Sequence, residues 1–128
     1  MPLRFVEPDR VHRPVMPAVH AVVADRTVYV SAQLPLDQDG LLVGPDDIDR
    51  QAEQVFTNLS EVLRAAGAQL GDVVKMTTYI LDLEHRPQVM DVRNRFFGSH
   101  RAPSIIAVVD GLPVEGALLE VDAIAVLD

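Results

Sequence analysis

Ser104-Ile105-Ile106-Ala107-Val108-Val109-Asp110-Gly111-Leu112-Pro113, followed by Leu118-Leu119-Glu120-Val121-Asp122-Ala123-Ile124-Ala125-Val126, reads as two strands joined by a turn-rich link. Residues two apart in a strand share a face. Leu119, Val121, Ala123, Ala125 and Leu127 therefore form one purely apolar face, and Glu120 and Asp122 point the other way with Leu118, Ile124 and Val126. The first face is core. The second places two carboxylates in an apolar run, which makes it the candidate site.

Outward from this stretch, the chain alternates strands and helices. Pro2, Pro8, Pro14 and Pro17 make residues 1–17 mostly irregular, with at most an edge strand over Leu3 to Val6. Ala18 to Ala24 and Thr27 to Ser31 predict a hairpin about Asp25-Arg26, with His20 on the face of Ala18 and Val22. Asp39-Gly40 and Gly44-Pro45 mark a loop. A long helix follows, with Asp46 as N-cap, Asp47 and Asp49 in its first turn, Arg64 in its last and Gly67 as its stop. Ile48, Ala52, Val55, Phe56, Leu59, Val62, Leu63 and Ala66 form one buried stripe along it.

Val73 to Leu81 predicts a strand with Val74, Met76, Thr78 and Ile80 on one face. Pro87 starts a second helix that ends at Gly98 and turns Val89, Val92 and Phe96 inward, with Met90 and Phe97 beside them. This order is α+β, with helices enough to cover one face of a sheet. Val28 with Val30, Ile105 with Val109, Ile106 with Val108 and Leu118 with Ile124 put apolar residues on both parities of several strands. The second face needs a cover that the chain does not contain, so a homo-oligomer is expected.

The 128 residues fit a single domain, 1–128, and 48% hydrophobic with 23% charged content is globular. No apolar run is long enough for a membrane span and the first residues lack a signal-peptide pattern, so a cytoplasmic protein is expected. A net charge of -8 argues against nucleic acid as partner. With no cysteine, thiol nucleophiles and thiolate metal sites are excluded. His12, His20, His85 and His100 lack ligand spacing, and phosphate-cradling glycine motifs are missing, so neither metal nor cofactor is expected. Glu120 and Asp122, with Lys75, Arg93, Arg95 and Arg101 as available donors, read either as salt-bridge partners or as a general base.

Six stretches in order carry a resemblance: Val28 to Pro35, Asn58 to Gly67, Asp72 to Thr77, Arg95 to Gly98, Leu112-Pro113 and Leu119 to Val126. Together they resemble the Rid family (YjgF/YER057c/UK114, formerly endoribonuclease L-PSP-like) from about residue 16 onward. The resemblance implies a chorismate-mutase-like α+β fold, a mixed sheet with two helices on one face, and a homotrimer with pockets between subunits. It implies hydrolysis of enamines and imines to 2-oxo acids and ammonia. Glu120 matches the glutamate that holds the attacking water.

The family's substrate-clamping arginine does not match. Its Pro-x-Arg-Ser/Thr is here Arg101-Ala102-Pro103-Ser104, so that position holds Pro103 or Ser104. Arg101 could replace it if displaced by two residues, but not by three, which would turn it to the opposite strand face. Gly-Pro-Tyr-Ser-Gln becomes Met16-Pro17-Ala18-Val19-His20, and an asparagine of the second helix becomes Met90, while Ser31, Gln33 and Pro35 are retained. The expected site is therefore Glu120 as catalytic residue, with Arg101, Ser31, Gln33, His20, Ala18, Met90 and Ser104 around a small metabolite in a more apolar pocket. Non-catalytic metabolite binding is the alternative reading, and ribonuclease activity a third.

Overall fold

The computed structural model describes residues 2–15 and 18–128. Met16 and Pro17, which open the altered pentapeptide, lie outside the described residues. Strands β1 (Leu3–Val6), β2 (Ala21–Ala24) and β3 (Thr27–Gln33) form an antiparallel meander. Helix α1 (Ile48–Ala66), strand β4 (Val73–Ile80), helix α2 (Arg86–Phe97), β5 (Ser104–Val108) and β6 (Leu119–Val126) follow. The six-stranded sheet has the order β1-β2-β3-β6-β4-β5, antiparallel except for the parallel β4/β5 pair that α2 connects. The sheet is mixed, and the fold is α+β as expected.

The alternation of β6 is the axis of the sheet. Leu119, Val121, Ala123 and Ala125 are buried under the helices, opposite Ile80, Thr78, Met76 and Val73 on β4. Val28 and Val30 continue this face across β3, and the α1 stripe packs upon it. Phe56 of α1 meets Phe96 and Phe97 of α2 at 5.7 and 6.1 Å between ring centroids, which joins the two helices in one layer.

Several local expectations change. Asp47, not Asp46, caps α1: its side chain accepts from the Arg50 N–H at 3.1 Å, while Asp46 takes a left-handed turn conformation at φ 61°. Gly67 ends the helix at φ 90°, where a side chain would be strained. The β2 ladder is shorter than the run suggests, so His20 precedes the strand and is buried. The register shifts between Val73 and Lys75, so Val73 turns inward and Val74 is left exposed.

Among the described residues, no helix covers the opposite face of the sheet. One row across it reads Phe5, Val22, Tyr29, Ile124 and Lys75 by strand register. Phe5, Tyr29 and Ile105 are exposed at 61%, 48% and 59%. Apolar side chains at that exposure on a contiguous sheet mark an association surface.

Candidate functional site

Glu120 is fixed by its neighbours. Leu119 and Val121 are buried in the core, so the residue between them must face the open side of β6. There it lies half-buried opposite Tyr79 of β4. Burial pushes its carboxyl above the ordinary carboxylate range, and the nearby charge of Asp122 pushes it further in the same direction. Asp122 accepts a hydrogen bond from the Tyr79 hydroxyl at 3.3 Å. Lys75, Arg93, Arg95 and Arg101 pair with neither carboxylate, and no side-chain hydrogen bond or ion pair joins Glu120 to another described residue.

On the β3 side the register shifts between Val30 and Gln33, and this irregularity sets Ser31 and Ala32 at the rim of a cavity of about 260 Å³. Glu120, His20, Ser31 and Ala18 all line it, with Leu34 and Pro113 as apolar wall. Four of the expected site residues thus meet in one place. The Ser31 hydroxyl is engaged, donating to the His20 carbonyl at 3.0 Å.

Gln33 lies beneath the cavity rather than in its lining. It is buried, and its Nε2 donates to His20 Nδ1 at 3.1 Å. His20 Nε2 must then carry the proton that it donates to the His12 carbonyl at 2.6 Å. Burial lowers the His20 pKa as the leading cause, which favours this neutral ring. His12, which the sequence did not single out, is itself buried and lines the cavity edge-on to His20, their ring centroids 5.1 Å apart.

Arg101, Ser104 and Met90 are elsewhere in the chain. Ser104 pairs with Met76, three residues along β4 from the Tyr79 that faces Glu120, and two strands over. At the usual sheet spacings this separates the Ser104 and Glu120 backbones by about 14 Å. Arg101 precedes β5, so its direction does not follow from strand parity. Met90 is half-buried on α2.

The link from Pro113 to β6 is held by α1. Gln51 Nε2 donates to the Gly44 and Gly116 carbonyls at 3.2 and 3.0 Å, and its Oε1 accepts from the Leu118 N–H at 2.7 Å. Gly116 takes φ 85°, where a side chain would be strained, and a Cβ there would come 2.7 Å from Leu42 Cδ2 and force that side chain to shift. Leu34, Leu36 and Ala117 form a separate small core behind the cavity wall. Asn58, buried on α1, supports it by donating to the Leu34 and Leu36 carbonyls at 3.0 and 2.9 Å.

The sequence profile described as Endoribonuclease L-PSP matches residues 10–127. The chain belongs to the Rid family. It is 39% identical over 113 residues to the RutC family protein UK114 of Drosophila melanogaster, covering 88% of this chain and 81% of that protein. It is 36% identical over 110 residues to a Bos taurus 2-iminobutanoate/2-iminopropanoate deaminase, covering 86% and 80%. The crystal structure of E. coli TdcF with bound serine superposes with a TM-score of 0.90 at 30% identity, over 98% of this chain and 99% of that one. Among the described residues, no helix is long and apolar enough to cross a membrane.

Proposed function

We propose that this chain is an enamine/imine deaminase that acts as a cytoplasmic homotrimer, with Glu120 as the base that holds and activates water. The observation that carries the reading is the half-buried Glu120 carboxylate, free of side-chain partners, facing a cavity beside neutral His20. A carboxylate with a raised pKa can take a proton from water and return it within one turnover.

In the reaction, the water oxygen adds to the imine carbon as Glu120 takes its proton, and the C=N electron pair moves to nitrogen. Glu120 returns that proton to the nitrogen, giving the neutral carbinolamine; it then takes the hydroxyl proton and passes it to the amine, so that ammonia leaves as the C=O bond forms. Ser31, Ala18 and His20 would shape the ligand's approach, and Gln33 would orient His20. Ser104 lies too far from Glu120 within one chain to share its ligand, and Arg101 and Met90 do not line the Glu120 cavity. A pocket between subunits, with Glu120 from one copy and the β5 end from the next, would bring the two halves together.

A second reading, metabolite binding without turnover, is favoured by the cavity wall itself. Beside Glu120 and Ser31 its polar members are two histidines, and no lysine or arginine lines it. Ribonuclease activity has less support, because a chain of net charge -8 repels phosphates.

The test is the rate of 2-oxo acid release from 2-aminoacrylate or 2-iminobutanoate generated in place by a lyase. Acceleration by the wild type that is lost in Glu120→Gln supports the deaminase. A rate equal to the spontaneous one removes it for these substrates and leaves the binder.

A further inference from the structure

Arg93 is a cation without a counterion. It projects from α2, is 8% exposed, and stacks its guanidinium 5.4 Å from the centre of the Phe97 ring. Its hydrogen bonds go to neutral oxygens only, the Ala102 carbonyl, the Ser104 hydroxyl and the Asn94 side chain. Each is 3.4 Å long, beyond the usual 2.7–3.2 Å. Its Nε is buried with no acceptor at all. Among the described residues no carboxylate pairs with it.

This is not for want of acids, since the chain carries 19 Asp and Glu against 11 Lys and Arg. Exposed arginines do find them: Arg64 meets Glu61 at 2.7 Å and Arg95 approaches Glu53 at 3.9 Å. Around Arg93 the charge has the same sign instead. Burial and then the adjacent Arg101 both lower its pKa. Ser104, whose hydroxyl Arg93 contacts, belongs to the wall of a cavity of about 210 Å³ together with Lys75 and Pro103, while Arg93 and Arg101 are not in its lining. That volume is several times a water's share of the liquid, about 30 Å³. A buried guanidinium with spare donors, no counterion and a cationic neighbour carries charge that a bound anion would offset.

We propose that Arg93, with the Ser104 hydroxyl and neighbouring Arg101, forms a subsite for the carboxylate of a small 2-imino or 2-oxo acid. The planar guanidinium fork offers two parallel N–H groups to a carboxylate, which the neutral single acceptors around it do not use. The class of ligand rests on the deaminase reading. The assignment of Arg93 as its anchor rests on the burial and lack of counterion alone. Arg93 thus binds and orients substrate from α2, while the proton transfers fall to Glu120.

The experiment is calorimetric titration of the full chain with 2-oxobutanoate and with its neutral amide, alongside imine-hydrolysis kinetics. The wild type is expected to bind the acid at least tenfold more tightly than the amide. Arg93→Gln is expected to lose about tenfold to a hundredfold for the acid and nothing for the amide, with KM raised more than kcat is lowered. Arg93→Lys, which keeps the charge, should recover part of the loss. Equal affinity of the wild type for acid and amide overturns the proposal without recourse to any variant. So does an unchanged KM in a folded Arg93→Gln that still hydrolyses imines, in which case the deaminase reading survives. Arg93-dependent binding of the acid with no hydrolysis by the wild type would sustain the subsite and remove the deaminase. A complex in which Arg93 pairs with a carboxylate of a neighbouring subunit would also overturn it.

Discussion

Tyr79 and Glu120 are directly opposed across the β4/β6 ladder, yet the Tyr79 hydroxyl donates to Asp122 Oδ2, at 3.3 Å, and leaves Glu120 unbonded. The two carboxylates of β6 are thereby given different work. Asp122 is the structural acceptor, whose charge is the first cause of the raised Tyr79 pKa. Glu120 remains available to a ligand.

Asp122→Asn should move the acid limb of the rate profile to lower pH. Glu120 must be ionised to act as base, and its pKa is raised by burial first and by Asp122 second. Removing the second cause makes ionisation easier, while asparagine still offers Tyr79 an acceptor. The pH dependence of kcat/KM checks this, and an unmoved limb would mean that another group controls it.

Glu120→Gln should be inactive but more stable than the wild type at neutral pH. The folded-state pKa lies above the unfolded value of about 4.3, so the folded state holds its proton more tightly. That stabilisation is full below the unfolded pKa and is lost as pH rises through the folded one. The glutamine has no such loss. Thermal melts compared at pH 7 and pH 4 should show the variant's advantage at pH 7 and a smaller one at pH 4.

Gln51→Met, a swap of similar length, should cost about 2–4 kcal/mol, because it strips the Gly44 and Gly116 carbonyls and the Leu118 N–H of their partner. The activity loss should exceed the effect of an equally destabilising change in the core. Gly116 and Leu118 lie on the link between Pro113 and Glu120, both of which line the cavity. Urea melts and kcat at a temperature where the variant is fully folded separate the two effects.

Ile124→Asp, in the middle of the uncovered sheet face, should abolish the proposed trimer without unfolding the helix-side core. At roughly 25 cal/mol per Å² of apolar area, an interface of standard size depends on such central residues. Native mass spectrometry at micromolar concentration reads the outcome. A wild type that is itself a folded monomer would overturn the trimer.

The parts of the fold legible in the sequence were those set by a single period. The α1 stripe repeats with helical spacing and is buried throughout. β6 alternates with one apolar face, so the direction of Glu120 followed from Leu119 and Val121. What escaped was non-local or aperiodic. Gln51 and Asn58 look like surface residues at their positions, yet they are buried because carbonyls of distant loops need their amides. The bulge after Val73 carries neither Gly nor Pro to announce it. His12 sits among prolines where no period exists, although its pairing with His20 shapes the cavity. Arg93 could be read as one donor among several, but its lack of a carboxylate is a property of the packed chain.

Strand β6 follows every other strand in the sequence but lies between β3 and β4, near the middle of the sheet. During synthesis the β1–β2–β3 meander can pair by itself, and so can the β4-α2-β5 unit, because each is local. Neither can join the other until residues 119–126 have left the ribosome. The growing chain therefore carries two half-sheets whose inner edges are open, and it depends on β6 to shut them. Glu120 lies on that segment, so an emerging chain has no site to use before the sheet is whole. Chaperones that shield open strand edges would act in this interval, and truncation within β6 would produce aggregation rather than a folded, inactive protein.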